Sequence, residues 1–139
     1  MVDKAVLEGK FQNLVRYLNA LRQAVNCPQQ EFLQDHTRIG AVRYYLLVAI
    51  ECCLDVGNHI IASDGLRSPK DYRDIFTVLQ ENDIVPADFL ITLHQMVGLR
   101  NVLVHDYETI DDQRIYVIAT TESGDFDRFV RSILHYGGQ

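Results

Sequence analysis

Residues 35–62 read DHTRIGAVRYYLLVAIECCLDVGNHIIA, and the pattern inside this stretch decides the fold. Ile39, Val42, Leu46, Ala49, Cys53, Val56 and Ile60 recur at alternating spacings of three and four, the period of one face of an α-helix. Leu47, Ile50, Leu54 and Ile61 fill a neighbouring face. A helix apolar around most of its girth must lie at the centre of a bundle or between two subunits. Ser63-Asp64-Gly65 then stops it.

The flanking segments carry the helices that such a centre requires. Upstream, Leu7, Phe11, Leu14, Leu18, Leu21 and Val25 fall at spacings of 4, 3, 4, 3 and 4, which predicts a first helix ending near Asn26-Cys27-Pro28. Downstream, Ser68-Pro69-Lys70-Asp71 reads as N-cap, N1 proline and N3 acid of a short third helix. Its apolar face would be Tyr72, Ile75, Phe76 and Leu79. Pro86 can open a fourth helix through Phe89, Leu93 and Met96 toward Arg100. Thr109-Ile110-Asp111-Asp112 has capping-box spacing and predicts a fifth, although residues 115–118 have strand propensity and Ser123-Gly124 can break a helix. Phe126, Phe129, Val130, Ile133 and Leu134 return to helical spacing. The expectation is an all-α, up-and-down bundle of about five helices, one domain over residues 1–139 without repeat or linker.

Composition narrows the class. Of 139 residues, 47% are apolar and 23% charged, which suits one soluble globular domain and excludes a disordered chain. Nineteen acidic residues against thirteen basic ones give a net charge of -6, which as a whole repels nucleic acid and anionic membranes. Cys27, Cys52 and Cys53 are odd in number and form no CxxC pair, so they read as buried or half-buried thiols of a reducing cytoplasm. The N-terminus MVDKAVLEGK lacks the basic stretch and apolar core of a signal peptide. The longest strongly apolar run, residues 44–50, is far below the roughly 20 residues of a membrane span. A cytoplasmic protein without membrane attachment is expected.

Residues 98–107, GLRNVLVHDY, gather an arginine, an asparagine, a histidine, an aspartate and a tyrosine around a short apolar core. Arginine offers a planar, permanently charged fork suited to phosphate, and histidine exchanges a proton near neutral pH. Together they equip metal-free phosphodiester chemistry, so neither a metal nor a cofactor is expected. Five steps apart on an ideal helix, Arg100 and His105 point about 140° apart. A helix ending near Val104 would release His105 into a turn and let the imidazole swing back beside the guanidinium.

The arrangement R-N-x-x-x-H-x-Y, filled by Arg100, Asn101, His105 and Tyr107, resembles the HEPN family, specifically the HepT-like toxins of toxin–antitoxin pairs. The likeness extends to Glu51 and Asp55 on the long second helix, to Pro69-x-Asp71-Tyr72 and to Phe126-x-x-Phe129, and so covers nearly the whole chain. It implies a metal-independent endoribonuclease that dimerises through the motif face, with two copies of the motif across a cleft. Arg100 and His105 would be catalytic, Asn101 would position the arginine, and Asp55 or Glu51 would support the pair. It also implies an MntA-like nucleotidyltransferase antitoxin that attaches AMP to Tyr107, and a homodimer able to join a larger hetero-oligomer.

Plainer readings stand beside these. The alternative function is a non-catalytic HEPN module that binds a nucleotide or a partner protein, with Arg100 holding phosphate. Arg100 and His105 could serve only as helix C-terminal cations. Glu51, Asp55 and His59, at i, i+4 and i+8, could form a polar stripe and not a metal site. Asp106 reads as a turn residue, and Tyr44 and Tyr45, which with Arg43 could stack on or contact RNA, read first as core. If the motif binds RNA, the net charge describes the outside of the bundle only, and Arg100 joined by Arg43 would make a small positive pocket in an acidic body.

Overall fold

The computed structural model describes residues 3–137. Seven α-helices and two short 3-10 turns lie among these residues, with no strand. Helix α1 (Lys4–Ala24) starts at Asp3, whose carboxylate accepts from the N–H groups of Ala5 and Val6. Its stripe of Leu7, Leu14, Leu18 and Leu21 is buried, as the spacing predicts. Pro28 then caps α2 (Gln29–Leu33), a helix that the apolar spacing does not predict and that Phe32, fully shielded from solvent, anchors to the core. Helix α3 (His36–Ser63) is capped by Asp35 and spans the region expected. It touches α1, α2, α4, α5, α6 and α7, which is the central position its girth demands.

Helix α4 (Tyr72–Glu81) begins later than its proline suggests. The cap is Asp71, whose carboxylate accepts from the Asp74 N–H at 2.8 Å, and not Ser68. Both α3 and α4 end in Schellman turns, with left-handed Gly65 and Asp83 followed by the bonds Leu66 N–H to Ile61 C=O and Ile84 N–H to Leu79 C=O. Arg67 braces the connection by donating to both Asp74 and Glu81. Gly57 lets the two helices approach, since a Cβ there would lie 2.7 Å from Ile75 Cγ2. This close crossing sets where the first residue of α4, Tyr72, stands.

After a 3-10 turn at Ala87–Phe89, α5 (Leu90–His105) carries the motif. A second 3-10 turn, Tyr107–Thr109, leads to α6 (Asp112–Thr121), which Asp111 caps in place of the Thr109 box. Residues 115–118 are helical despite their strand propensity, because Ile115 and Ala119, one turn apart, both face the core. The break at Ser123 separates α7 (Gly124–Gly137), where Phe126, Phe129 and Ile133 are buried. Phe129 meets Phe76 of α4 edge-on, with ring centroids 5.7 Å apart. The three thiols are unpaired, and burial pushes those of Cys52 and Cys53 upward, away from reactive thiolate. No helix among the described residues is long and apolar enough to cross a membrane.

Candidate active site

Arg100 lies on the side of α5 that faces α3, and three neighbours fix it. Its Nε donates to Glu51 Oε1 at 2.6 Å, and its Nη1 donates to Asn101 Oδ1 at 3.2 Å. The guanidinium carbon sits 4.5 Å from the centre of the Tyr72 ring. Only 14% of the Arg100 side chain is exposed, while its Nη2 has no hydrogen-bond partner among the described residues. A preorganised fork with a free N–H edge suits an incoming phosphate oxygen. Glu51 thus reaches the site. Asp55 does not, because Lys10 of α1 takes its carboxylate at 3.4 Å.

Tyr72 belongs to this arrangement although its spacing places it on the apolar face of α4. The residue is 44% exposed, and its ring serves as a platform for the guanidinium. Periodicity alone cannot separate it from Ile75 and Phe76. The one available signal is its place directly after the capping aspartate, beyond the last full turn of core.

His105 is the final residue of α5 and is exposed. The expected swing toward Arg100 does not occur. The Asp106 N–H still bonds to Val102 C=O, so the helix carries through His105, and no hydrogen bond joins the imidazole to Arg100 among the described residues. The turn starts one residue later. Asp106 shapes it, its carbonyl accepting from both the N–H and the hydroxyl of Thr109, as a turn residue should.

Tyr107 stands on this turn with 58% of its surface exposed. Its carbonyl accepts from Arg43 Nη1 at 2.8 Å, while Arg43 Nη2 reaches Ile110 C=O at 3.2 Å and Asp112 Oδ1 at 2.5 Å. Arg43 is therefore committed to the turn and does not join Arg100 in a positive pocket. Tyr44, expected in the core, is 54% exposed, while Tyr45 is half-buried against it. His59 lies beside Ser63, and no group of three metal-ligating side chains converges among the described residues.

An open groove of about 960 Å³ runs between α5 and the α6–α7 corner, floored by Leu46 and Ile50. Arg73 and Arg114 line it, and the absence of a side chain at Gly98 admits the Arg73 guanidinium, whose Nη2 would be 3.1 Å from a Cβ there. Neither Arg100 nor His105 lines this groove.

An all-α bundle with R-N-x-x-x-H-x-Y running from the end of its fifth helix into the next turn is the build of the HEPN class. A model of the family "Ribonuclease HepT-like" matches residues 14–133, and the chain belongs to that family. The mRNA nuclease HepT of Shewanella oneidensis is 30% identical over 125 residues, covering 90% of this chain and 93% of that protein. The tRNA nuclease HepT of Aphanizomenon flos-aquae is 23% identical, covering 97% and 92%. Among solved structures, a toxin–antitoxin complex with AMP-PNP matches with a TM-score of 0.89 and 28% identity over 95% of this chain and 99% of the other. A tri-AMPylated HEPN toxin of Shewanella oneidensis, in complex with an MNT antitoxin, matches with a TM-score of 0.87 and 30% identity over 97% and 99%.

Proposed function

We infer that this chain is the toxin of a toxin–antitoxin pair, a cytoplasmic, metal-independent endoribonuclease acting as a homodimer and silenced by AMP transfer to Tyr107. The observation that carries the reading is the fixed Arg100, held by Glu51, Asn101 and Tyr72 with one N–H edge open. The divergence of Arg100 and His105 around α5 supports a two-copy site, because a phosphate seated on one guanidinium is then served by imidazoles from both chains. Residues 1–139 act in this reading as one domain.

The chemistry follows from the groups present. A neutral His105 imidazole accepts the proton of a ribose 2′-hydroxyl, and the oxygen attacks the adjacent phosphorus to form a 2′,3′-cyclic phosphate. The P–O5′ bond breaks, and the partner's His105, as imidazolium, or a water returns a proton to the leaving oxygen. Arg100 stabilises the charge that builds on the phosphate. Silencing uses the exposed phenol. Tyr107 Oη attacks the α-phosphorus of ATP bound to an MntA-like nucleotidyltransferase, pyrophosphate leaves, and the phenolic proton passes to a base or solvent. The added AMP brings negative charge beside Arg100 and competes with RNA for it. The acidic exterior leaves few phosphates to be neutralised away from the site, so nonspecific affinity is weak and cleavage selective.

Growth on induction tests the reading, with and without the antitoxin. Arg100→Ala and His105→Ala should each lower the cleavage rate about 100- to 1000-fold and relieve toxicity in a folded protein. Mass spectrometry after co-expression should find AMP on the Tyr107 peptide. A folded His105→Ala variant that cleaves at the parental rate refutes the assignment.

A further inference from the structure

Tyr107 combines a tightly held backbone with a free side chain. Its phenol is exposed and hydrogen-bonds to nothing among the described residues. The turn that carries it has little internal bracing beyond the two bonds from Thr109 to the Asp106 carbonyl. What holds it is Arg43, reaching from α3 to the carbonyls of Tyr107 and Ile110 and to the carboxylate of Asp112. The Arg43 Nε is buried with no hydrogen-bond partner. The fold thus tolerates one unsatisfied donor while both Nη groups stay on the turn.

We propose that Arg43 is a positioning residue for nucleotide transfer to Tyr107, fixing the backbone of the turn so that the phenol meets the nucleotidyltransferase in one place. The proposal rests on the reading of Tyr107 as the AMP acceptor. Transfer requires the phenolic oxygen to approach the α-phosphorus in line, and a misplacement of about 1 Å costs on the order of 100-fold in rate. RNA cleavage makes no such demand on Arg43. Arg100 is held by Glu51, Asn101 and Tyr72, and His105 by the helical bonds of α5, none of which involves Arg43. Arg43 therefore separates the two activities that share the motif. Its loss leaves a working nuclease that its antitoxin modifies poorly.

The test uses the full chain with its nucleotidyltransferase and ATP, comparing parent, Arg43→Gln and Arg43→Lys. Intact-mass kinetics should show AMP transfer to Arg43→Gln slowed about tenfold or more in kcat, with the KM for ATP unchanged. RNA cleavage should stay within about threefold of the parent, because no ligand of Arg100 is touched. Arg43→Lys should recover part of the transfer, since an ammonium can satisfy some of the three acceptors. In the toxin alone, ¹⁵N relaxation should report greater motion of the Tyr107 and Thr109 amides in Arg43→Gln and none at Arg100. Transfer to Arg43→Gln at the parental rate, an equal fall in transfer and cleavage, or unaltered motion at Tyr107 overturns the proposal. A parent that gains no AMP on Tyr107 overturns instead the acceptor reading beneath it, and the two failures are distinguished by the parental lane.

Discussion

Replacing Glu51 removes the strongest of the three contacts that orient Arg100. The Nε–Oε1 bond of 2.6 Å joins two charged groups, with 14% of the arginine side chain and 37% of the glutamate exposed. A hydrogen bond to a charged group contributes about 1.5–3 kcal/mol, and the solvent reaching Glu51 places this one near the lower end. At 1.36 kcal/mol per decade, loss of that orientation in Glu51→Ala lowers kcat about tenfold, well short of the 100- to 1000-fold expected for Arg100→Ala. The remaining bond to Asn101 and the Tyr72 platform keep the guanidinium partly in place. Glu51→Gln keeps an acceptor and drops the charge, so its kcat should fall by about threefold or less while RNA binds more tightly at low salt. Single-turnover and steady-state cleavage of a labelled RNA oligonucleotide, with circular dichroism as the fold check, separates kcat from KM. Parental kcat in folded Glu51→Ala refutes the claim that this ion pair orients the Arg100 guanidinium for cleavage. A loss equal to that of Arg100→Ala would give Glu51 a direct part in the chemistry.

Tyr72→Phe should leave cleavage unchanged, because the ring face is what meets Arg100, whereas Tyr72→Ala should lose about threefold in kcat, the worth of an exposed cation–π contact. Gly57→Ala should destabilise the fold by about 1–2 kcal/mol, since a β-branched, buried Ile75 stands 2.7 Å from the new methyl and the gain in helix propensity offsets only part of the overpacking. Thermal melting should show that as a drop of roughly 5 °C. Arg67 holds the carboxyls of Asp74 and Glu81 below the usual carboxylate range, so their contribution is present above that range and is lost as pH falls through the depressed folded-state values. The melting temperature of the parent should therefore decline more steeply between about pH 5 and pH 2 than that of Arg67→Ala. Parallel curves for the two proteins would show that the brace carries no pH-dependent stability.

Much of this architecture is readable from periodicity. The stripe from Ile39 to Ile60 survives as the buried face of α3 because burial on a central helix and a 3.6-residue period are the same constraint seen twice. Helix α2 escapes that test, since five residues make too few turns to draw a stripe and Pro28 reads equally as an ending and a beginning. Ser68 and Thr109 have the chemistry of caps, yet Asp71 and Asp111 do the work, because the chain turns into each helix only there. The residues 115–118 mislead for a different reason. β-branched residues favour strands locally, and tertiary contacts of Ile115 and Ala119, with the Tyr116 hydroxyl donating to the Cys27 carbonyl, outweigh that preference.

The site divides along the same line. Arg100, Asn101, His105 and Tyr107 fall within eight successive residues, and their order carries the likeness to the family whose model matches residues 14–133. Glu51 against Asp55 is a choice between two carboxylates one turn apart, settled only by Lys10 of a neighbouring helix. The role of Arg43 has no trace in the sequence at all, because two of its three acceptors are backbone carbonyls that any residue would supply.

The edge-on meeting of Phe129 with Phe76 bears on how this protein is made. Phe129 is fully shielded, and it lies 22 residues after Tyr107, which closes the motif. At about 5–20 residues per second, a ribosome finishes the motif roughly 1–4 seconds before it delivers this ring. Through that interval α4 has no aromatic lid, and loss of a buried phenylalanine alone costs about 3–5 kcal/mol, much of a small domain's stability. A chain cut in this window therefore holds every motif residue but lacks the ring that closes over α4 and the stability it contributes. Completion of the fold therefore trails completion of the motif by that interval.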